Sequence, residues 1–354
     1  MARAAAGKAV PAALGFRMPA EWEPHAGTWL AWPHKQDSWP GKFAPIPGVW
    51  VEIVRALEAH ERVHILVNDA AMQASAAAQL HTAQVPLGNV SFHLIPTDDA
   101  WMRDHGPIFV RRETAERAEL AAVKWRYNAW GGKYPPWERD DAVGLQVAAQ
   151  LGLPLFEPGI VLEGGSIDVN GCGTLLTTEA CLLNPNRNPQ LGRAELETVL
   201  REYLGVRHIL WLGDGIVGDD TDGHVDDLAR FVDPRTVVTV IEEDPGDANH
   251  AALQENYARL QHMCDQDGEA LRVITIPMPA PLFYEGQRLP ASYANFYIGN
   301  GAVLVPVFDD PHDRQALETL QRLFPRRRVV GIRAADMVWG LGAFHCVTQQ
   351  QPAI

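Results

Sequence analysis

The chain has 354 residues, 47% hydrophobic and 21% charged, which is an ordinary globular composition. Its length leaves either two domains or a repeated architecture open. The net charge of −14 argues against nucleic acid as a partner, and no apolar run reaches the roughly eighteen residues a membrane span requires. Four cysteines (Cys172, Cys181, Cys264 and Cys346) without a C-x-x-C pair make neither a disulfide framework nor a structural zinc site, and they fit a reducing, cytoplasmic setting.

Residues 1–15 read as a flexible N-terminal leader, Ala-rich at first and too polar for a signal peptide. His25 to Trp32 suggests a strand, and Trp50 to Ala59 a helix. Trp101-Met102-Arg103-Asp104-His105 then opens a strand-like run from Ile108, which Ala121 to Trp125 returns. Glu163-Gly164-Gly165 opens a hairpin whose turn is signalled by Asn170-Gly171. A helical pattern covers Arg193 to Leu204. His224-Val225-Asp226 precedes the strand Leu228 to Val232, the turn Asp233-Pro234-Arg235 and the β-branched run Thr236 to Ile241. A helix over His250 to Asp267 follows. Asn295 opens another hairpin, closed by Ala302 to Val307, and Arg314 to Leu323 is helical. Gly342 to Thr348, which carries Cys346, would close the set.

One plan recurs at intervals of roughly 50–70 residues: a polar residue with useful chemistry, an apolar run, a turn and a second apolar run. Units that cannot bury their own apolar faces must stack on neighbours, and site residues at equivalent openings would then converge. An ordinary α/β domain with hairpins at unremarkable intervals is the alternative.

Cys346 is either a small buried hydrophobe or a nucleophile. Asp220-Thr221-Asp222-Gly223-His224-Val225-Asp226-Asp227 is the densest polar cluster. It fails as a calcium loop because His224 stands among the expected acids, and it lacks a second His for a transition metal. A solvated acidic turn is its bland reading. If residues 224–226 form a strand, His224 and Asp226 share one face, whereas His345 points away from Cys346 and serves packing or hydrogen bonding on the other side. Cys172, Cys181 and Cys264 read as structural. One thiol and one imidazole with several carboxylates is a surplus of acid for a plain thiol hydrolase, since carboxylates raise a thiol's pKa. The surplus makes sense for a cationic substrate, and a guanidinium matches carboxylates in a planar fork. Trp101 offers such a cation an aromatic face.

Several motifs together resemble the agmatine deiminase group of the guanidine-modifying superfamily, which includes bacterial peptidylarginine deiminases. They are Glu21-Trp22-Glu23-Pro24-His25, Trp101-Met102-Arg103-Asp104-His105-Gly106-Pro107, Asn128-Ala129-Trp130-Gly131-Gly132-Lys133-Tyr134, Glu163-Gly164-Gly165, Asp222-Gly223-His224-Val225-Asp226 and His345-Cys346-Val347-Thr348-Gln349-Gln350-Gln351-Pro352. The resemblance implies a single catalytic domain over 16–354, a five-fold pseudosymmetric α/β propeller of ββαβ-type units. It implies neither metal nor organic cofactor, and it is compatible with a homo-oligomer. It carries over Cys346 as nucleophile, His224 as general acid/base, Glu163 as the acid orienting His224, and Asp104 and Asp226 as the guanidinium clamp. Asp220 matches the position near the substrate amine, and Trp101 and Asn295 complete the expected substrate-binding set. The implied reaction is hydrolysis of agmatine to N-carbamoylputrescine and ammonia, a step toward putrescine. Arginine or peptidyl-arginine as substrate, or amidino transfer to an amine, are the alternatives. An arginine carboxylate would need a base, for which Arg126, Arg187 and Arg230 are available.

Overall fold

The computed structural model describes residues 9–354. Of the expected leader, residues 1–8 lie outside this range, while Ala12–Leu14 form a 3-10 turn beside the helix Arg193–Leu204.

The described residues form a mixed α/β fold in which one sheet plan repeats. Ile108–Glu113 pairs antiparallel with Ala118–Val123, which pairs parallel with Leu155–Phe156. Ile167–Val169, Thr174–Thr178 and His208–Leu212 repeat the order. So do Ala229–Asp233, Thr236–Ile241 and Arg272–Pro277, and then Tyr297–Ile298, Ala302–Val307 and Arg328–Arg333. In the first sheet the C-terminal strand Gln349–Pro352 lies antiparallel to His25–Ala31, followed by Arg62–Val67 and Val90–Leu94 in parallel. A parallel neighbour requires a crossover. The helices Ile46–Leu57, Glu138–Leu151, Arg193–Leu204, His250–Gln261 and Asp313–Leu323 supply one per sheet, and Ala70–Thr82 supplies a second in the first sheet.

The middle strands are covered on both faces, which is why they read as unbroken apolar runs such as Thr236–Ile241 and Ala302–Val307. The helices are amphipathic. Arg193–Leu204 buries Leu196, Leu200 and Leu204, one face at a spacing of four, and stops at Gly205 with φ +67°. The expected helix over 250–267 ends at Gln261, because Cys264 pairs with Ala270 in an isolated bridge and Asp265 caps the turn between them.

The segment that opens each unit departs from the sequence expectation. Asp104 sits on the one-turn helix Met102–His105. Glu163 caps the 3-10 turn Gly164–Ser166, and His224 caps Val225–Asp227. Cys346 lies in a turn, and the strand begins only at Gln349. His224 and Asp226 therefore share a site through a helical turn, and strand alternation does not govern His345 and Cys346. The turns bearing Asp104 and His224 each pack against the turn that follows Glu163.

Candidate active site

The turns bring Cys346, His224, Glu163, Asp104 and Asp226 together, all at most 5% exposed. Cys346 Sγ lies 3.8 Å from Asp226 Oδ2. His224 Nδ1 is 3.9 Å from Asp104 Oδ1, and its Nε2 is 4.0 Å from Glu163 Oε2. Gly165 makes this convergence possible. Its N–H donates to Asp104 Oδ1 at 3.0 Å, and a Cβ there would stand 2.6 Å from His224 Nδ1. The 3-10 turn Gly164–Ser166 thus forms the floor of the site. Both His224 ring nitrogens, Glu163 Oε2 and Asp226 Oδ1 are buried without a hydrogen-bond partner among the described residues. Buried polar groups are normally paired, so these atoms are free to receive a bound ligand.

Each group is held from behind. Arg187 Nε donates to Glu163 Oε1 at 2.6 Å, and its Nη1 to Asp222 Oδ2 at 2.6 Å. Trp130 Nε1 donates to Asp104 Oδ2 at 3.0 Å. His345 lies between two carboxylates, 2.6 Å from Asp226 Oδ2 and 2.8 Å from Glu21 Oε2. The ring therefore bridges Asp226 and Glu21 through its two nitrogens. Glu21 also accepts from Arg103 and Arg230 and so ties four segments together. Asn295 braces Cys346 instead of lining the cavity: its Nδ2 lies 3.0 Å from Cys346 Sγ and 3.0 Å from Asp227 Oδ1.

The charges are strongly coupled. Burial, with Asp226, Asp227 and Asp104 nearby, pushes the Cys346 thiol well above its ordinary pKa. Burial also raises Asp104 to about 6, reinforced by Asp226 and Glu163 and opposed by His224. For His224, burial favours the neutral ring, but Asp104, Cys181 and Asp226 overcome it and hold the imidazole well above its usual range. Asp226 goes the other way: burial would raise it, and the His345 hydrogen bond keeps it low.

A cavity of about 410 Å3 leads to Cys346 and Asp104, walled by Trp101, Trp130, Tyr134 and Leu341. Asp220 is at its mouth, where Lys133 and Tyr134 bind its carboxylate. Lys35 and Lys133, the cavity's bases, are each engaged by acids: Lys35 by Asp99 at 3.7 Å and Lys133 by Asp222 at 2.9 Å. A larger cleft of about 510 Å3 between Arg17, Arg111, Arg112, Arg201 and Arg207 lies away from these groups, and its arginines pair with neighbouring acids.

Sequence reasoning missed Trp130, Arg187 as the partner of Glu163, and His345 as the partner of Asp226. Trp130 had a signal in Trp130-Gly131-Gly132, part of a run of four positive φ values from Ala129 to Gly132, and its indole meets Asp104. Arg187 and Arg230 are consumed by internal acids, and Arg126 is exposed outside the cavity wall. Cys181, read as structural, lies beside His224 and Glu163.

A buried thiol and imidazole among carboxylates, set in repeated mixed sheets, form the arrangement that the motif resemblance to guanidine-modifying enzymes implies. The sequence profile of the Porphyromonas-type peptidyl-arginine deiminase family matches residues 17–352, and the chain belongs to that family. It is 41% identical to the agmatine deiminase of Ectopseudomonas mendocina and 40% identical to that of Pseudomonas aeruginosa, each over 97% of both chains. Among solved structures, the agmatine deiminase of Enterococcus faecalis superposes with a TM-score of 0.90 at 36% identity, covering 98% of each chain. A C. jejuni agmatine deiminase with substrate bound gives 0.85 at 32% identity, covering 95% of this chain and 96% of that one.

Proposed function

We propose that the protein hydrolyses the guanidinium of agmatine to N-carbamoylputrescine and ammonia through a covalent amidino-Cys346 intermediate. One observation carries this reading: a thiol, an imidazole and three carboxylates converge, with both His224 nitrogens, Glu163 Oε2 and Asp226 Oδ1 unpartnered among the described residues, beside a cavity walled by tryptophans that reaches Cys346 and Asp104.

Asp104 and Asp226 hold the planar cation and set its carbon against Cys346. The cation offsets the acids that disfavour the thiolate. The thiolate forms a C–S bond to the guanidinium carbon, and His224, oriented by Glu163, gives its proton to the departing ammonia. A water then attacks the amidino-thioester carbon. His224 takes that water's proton, the C–S bond breaks, and the ureido product leaves. Asn295 steadies the sulfur, and His345 fixes Asp226. Trp101 lies along the substrate chain, and Asp220 shares the distal ammonium with its existing partners. Arginine fits less well, because the bases that line the cavity are already paired with acids.

The five sheets of three or four strands are read as the blades of a pseudosymmetric propeller of ββαβ units, with the opening turns nearest its axis. Repetition of one pairing plan and the meeting of those turns support this. Four free thiols suit a cytoplasmic location, and no helix among the described residues is long and apolar enough to cross a membrane.

Ammonia release from agmatine, arginine and a blocked arginine peptide tests the reading, with Cys346→Ala as control. Release from agmatine alone, abolished in the variant, is expected. Substantial turnover by Cys346→Ala would overturn the mechanism. Release from arginine alone would overturn the substrate, and product carrying an added amine would indicate a transferase.

A further inference from the structure

Cys181 has no part in the proposed reaction, yet it stands at the heart of the site. It is fully buried on the one-turn helix Glu179–Leu182, which Thr178 caps through a hydrogen bond to the Cys181 N–H. Its Sγ, a ring nitrogen of His224 and a carboxylate oxygen of Glu163 all lie within 4.8 Å of one another. Arg187 Nε occupies Glu163 Oε1 and leaves Oε2 facing His224. Glu163 Oε2 and both His224 nitrogens are buried without hydrogen-bond partners among the described residues.

Sulfur, imidazole nitrogen and carboxylate oxygen are the ligand types zinc takes in tetrahedral sites. Atoms at these separations need draw in by less than about 1 Å each to reach zinc bond lengths of about 2.0–2.3 Å. Asp104 and Asp226 add negative charge close by, and Arg187 orients Glu163 as an outer-shell partner would. Cys346, the expected nucleophile, does not belong to this triplet.

We propose that Cys181, His224 and Glu163 form an inhibitory site for a soft divalent cation, zinc foremost. A metal on the His224 nitrogen takes the lone pair that would carry the proton, so binding arrests turnover without touching the nucleophile. The inhibitory effect rests on His224 acting as acid and base. Metal capture itself does not.

The test uses the purified full chain after chelation. Zn2+ is titrated into the ammonia-release assay. Co2+, an absorbing surrogate, is titrated separately, and its thiolate charge-transfer band and stoichiometry are read. One equivalent of Co2+ should bind with a thiolate band that Zn2+ displaces. Cys346→Ala should keep that band. Cys181→Ala should lose it, and its turnover should require about 100-fold more Zn2+ for half-inhibition. Cys181→Ser, which preserves shape, provides the same comparison if the alanine variant folds poorly. Loss of the band in Cys346→Ala, its survival in the Cys181 variants, or no Co2+ binding would each overturn the proposal. The absorption readout needs no turnover, so failure to capture metal leaves the guanidine reading standing. An enzyme that is inactive on guanidines yet captures metal through Cys181 would refute that reading alone.

Discussion

Gly165→Ala puts the geometry of the site to its sharpest test. The added methyl would stand 2.6 Å from His224 Nδ1, 2.9 Å from Asp104 Oδ1 and 3.0 Å from Asp226 Oδ2. An ordinary contact begins near 3.4 Å, so the imidazole must retreat by about 0.8 Å and the two carboxylates by about half that. The Gly165 backbone is not in the left-handed region, so the cost is steric alone. Overpacking of this kind costs about 1–3 kcal/mol of stability. A displacement near 1 Å in a reacting constellation costs about 100-fold in rate. The expected result is a folded protein with a modestly lowered melting temperature and kcat/KM for agmatine reduced about 100-fold. Ureido-product formation and thermal melts measure the two effects. Gly48→Ala, in the helix Ile46–Leu57 with nothing within 4 Å of the new methyl, is the matched control and should be active. Turnover by Gly165→Ala within about threefold of wild type would refute the placement of His224, Asp104 and Asp226 around this turn.

Two more outcomes follow from the electrostatics. Asp104 must be ionised to hold a guanidinium, and burial with its acidic neighbours places it at about 6, so kcat/KM should fall as pH drops through about 6. Because its pKa is raised in the fold, its stabilising contribution is complete below the unfolded value of 3.8 and is lost as pH rises through about 6. Protonating Asp104 therefore does not unfold the chain, and activity lost at mildly acidic pH should return on neutralisation. A flat kcat/KM profile down to pH 5 with an intact fold would contradict this. His345→Gln removes a charged hydrogen bond worth about 1.5–3 kcal/mol from Asp226, so KM for agmatine should rise about 10–100-fold. The acid limb of kcat/KM should also move upward, because Asp226 loses the partner that keeps its pKa low. An altered melting temperature with unchanged KM and pH profile would leave His345 a structural role only.

Much of this was legible in the chain itself. Continuous apolar runs such as Thr236–Ile241 marked doubly covered strands, the Leu196–Leu200–Leu204 spacing marked its helix, and the recurrence of a polar opener before each hairpin marked the repeat. The candidate set Cys346, His224, Glu163, Asp104 and Asp226 came from the residue types a cationic substrate calls for and from the motif resemblance, and the fold brings those five side chains together. Tertiary structure alone decided which atoms face one another. Helical turns, not strands, present the site groups, so period-two reasoning misplaced His345, and Asn295 turned toward the sulfur instead of the cavity. Arg187 reads as a free base in the sequence and becomes the buried partner of Glu163 in the fold. Local sequence determines strands, helices and turns through short-range sterics and burial pattern. The partner of a buried charge is set by chain segments far apart in sequence, and the low-dielectric interior makes an unpaired choice costly.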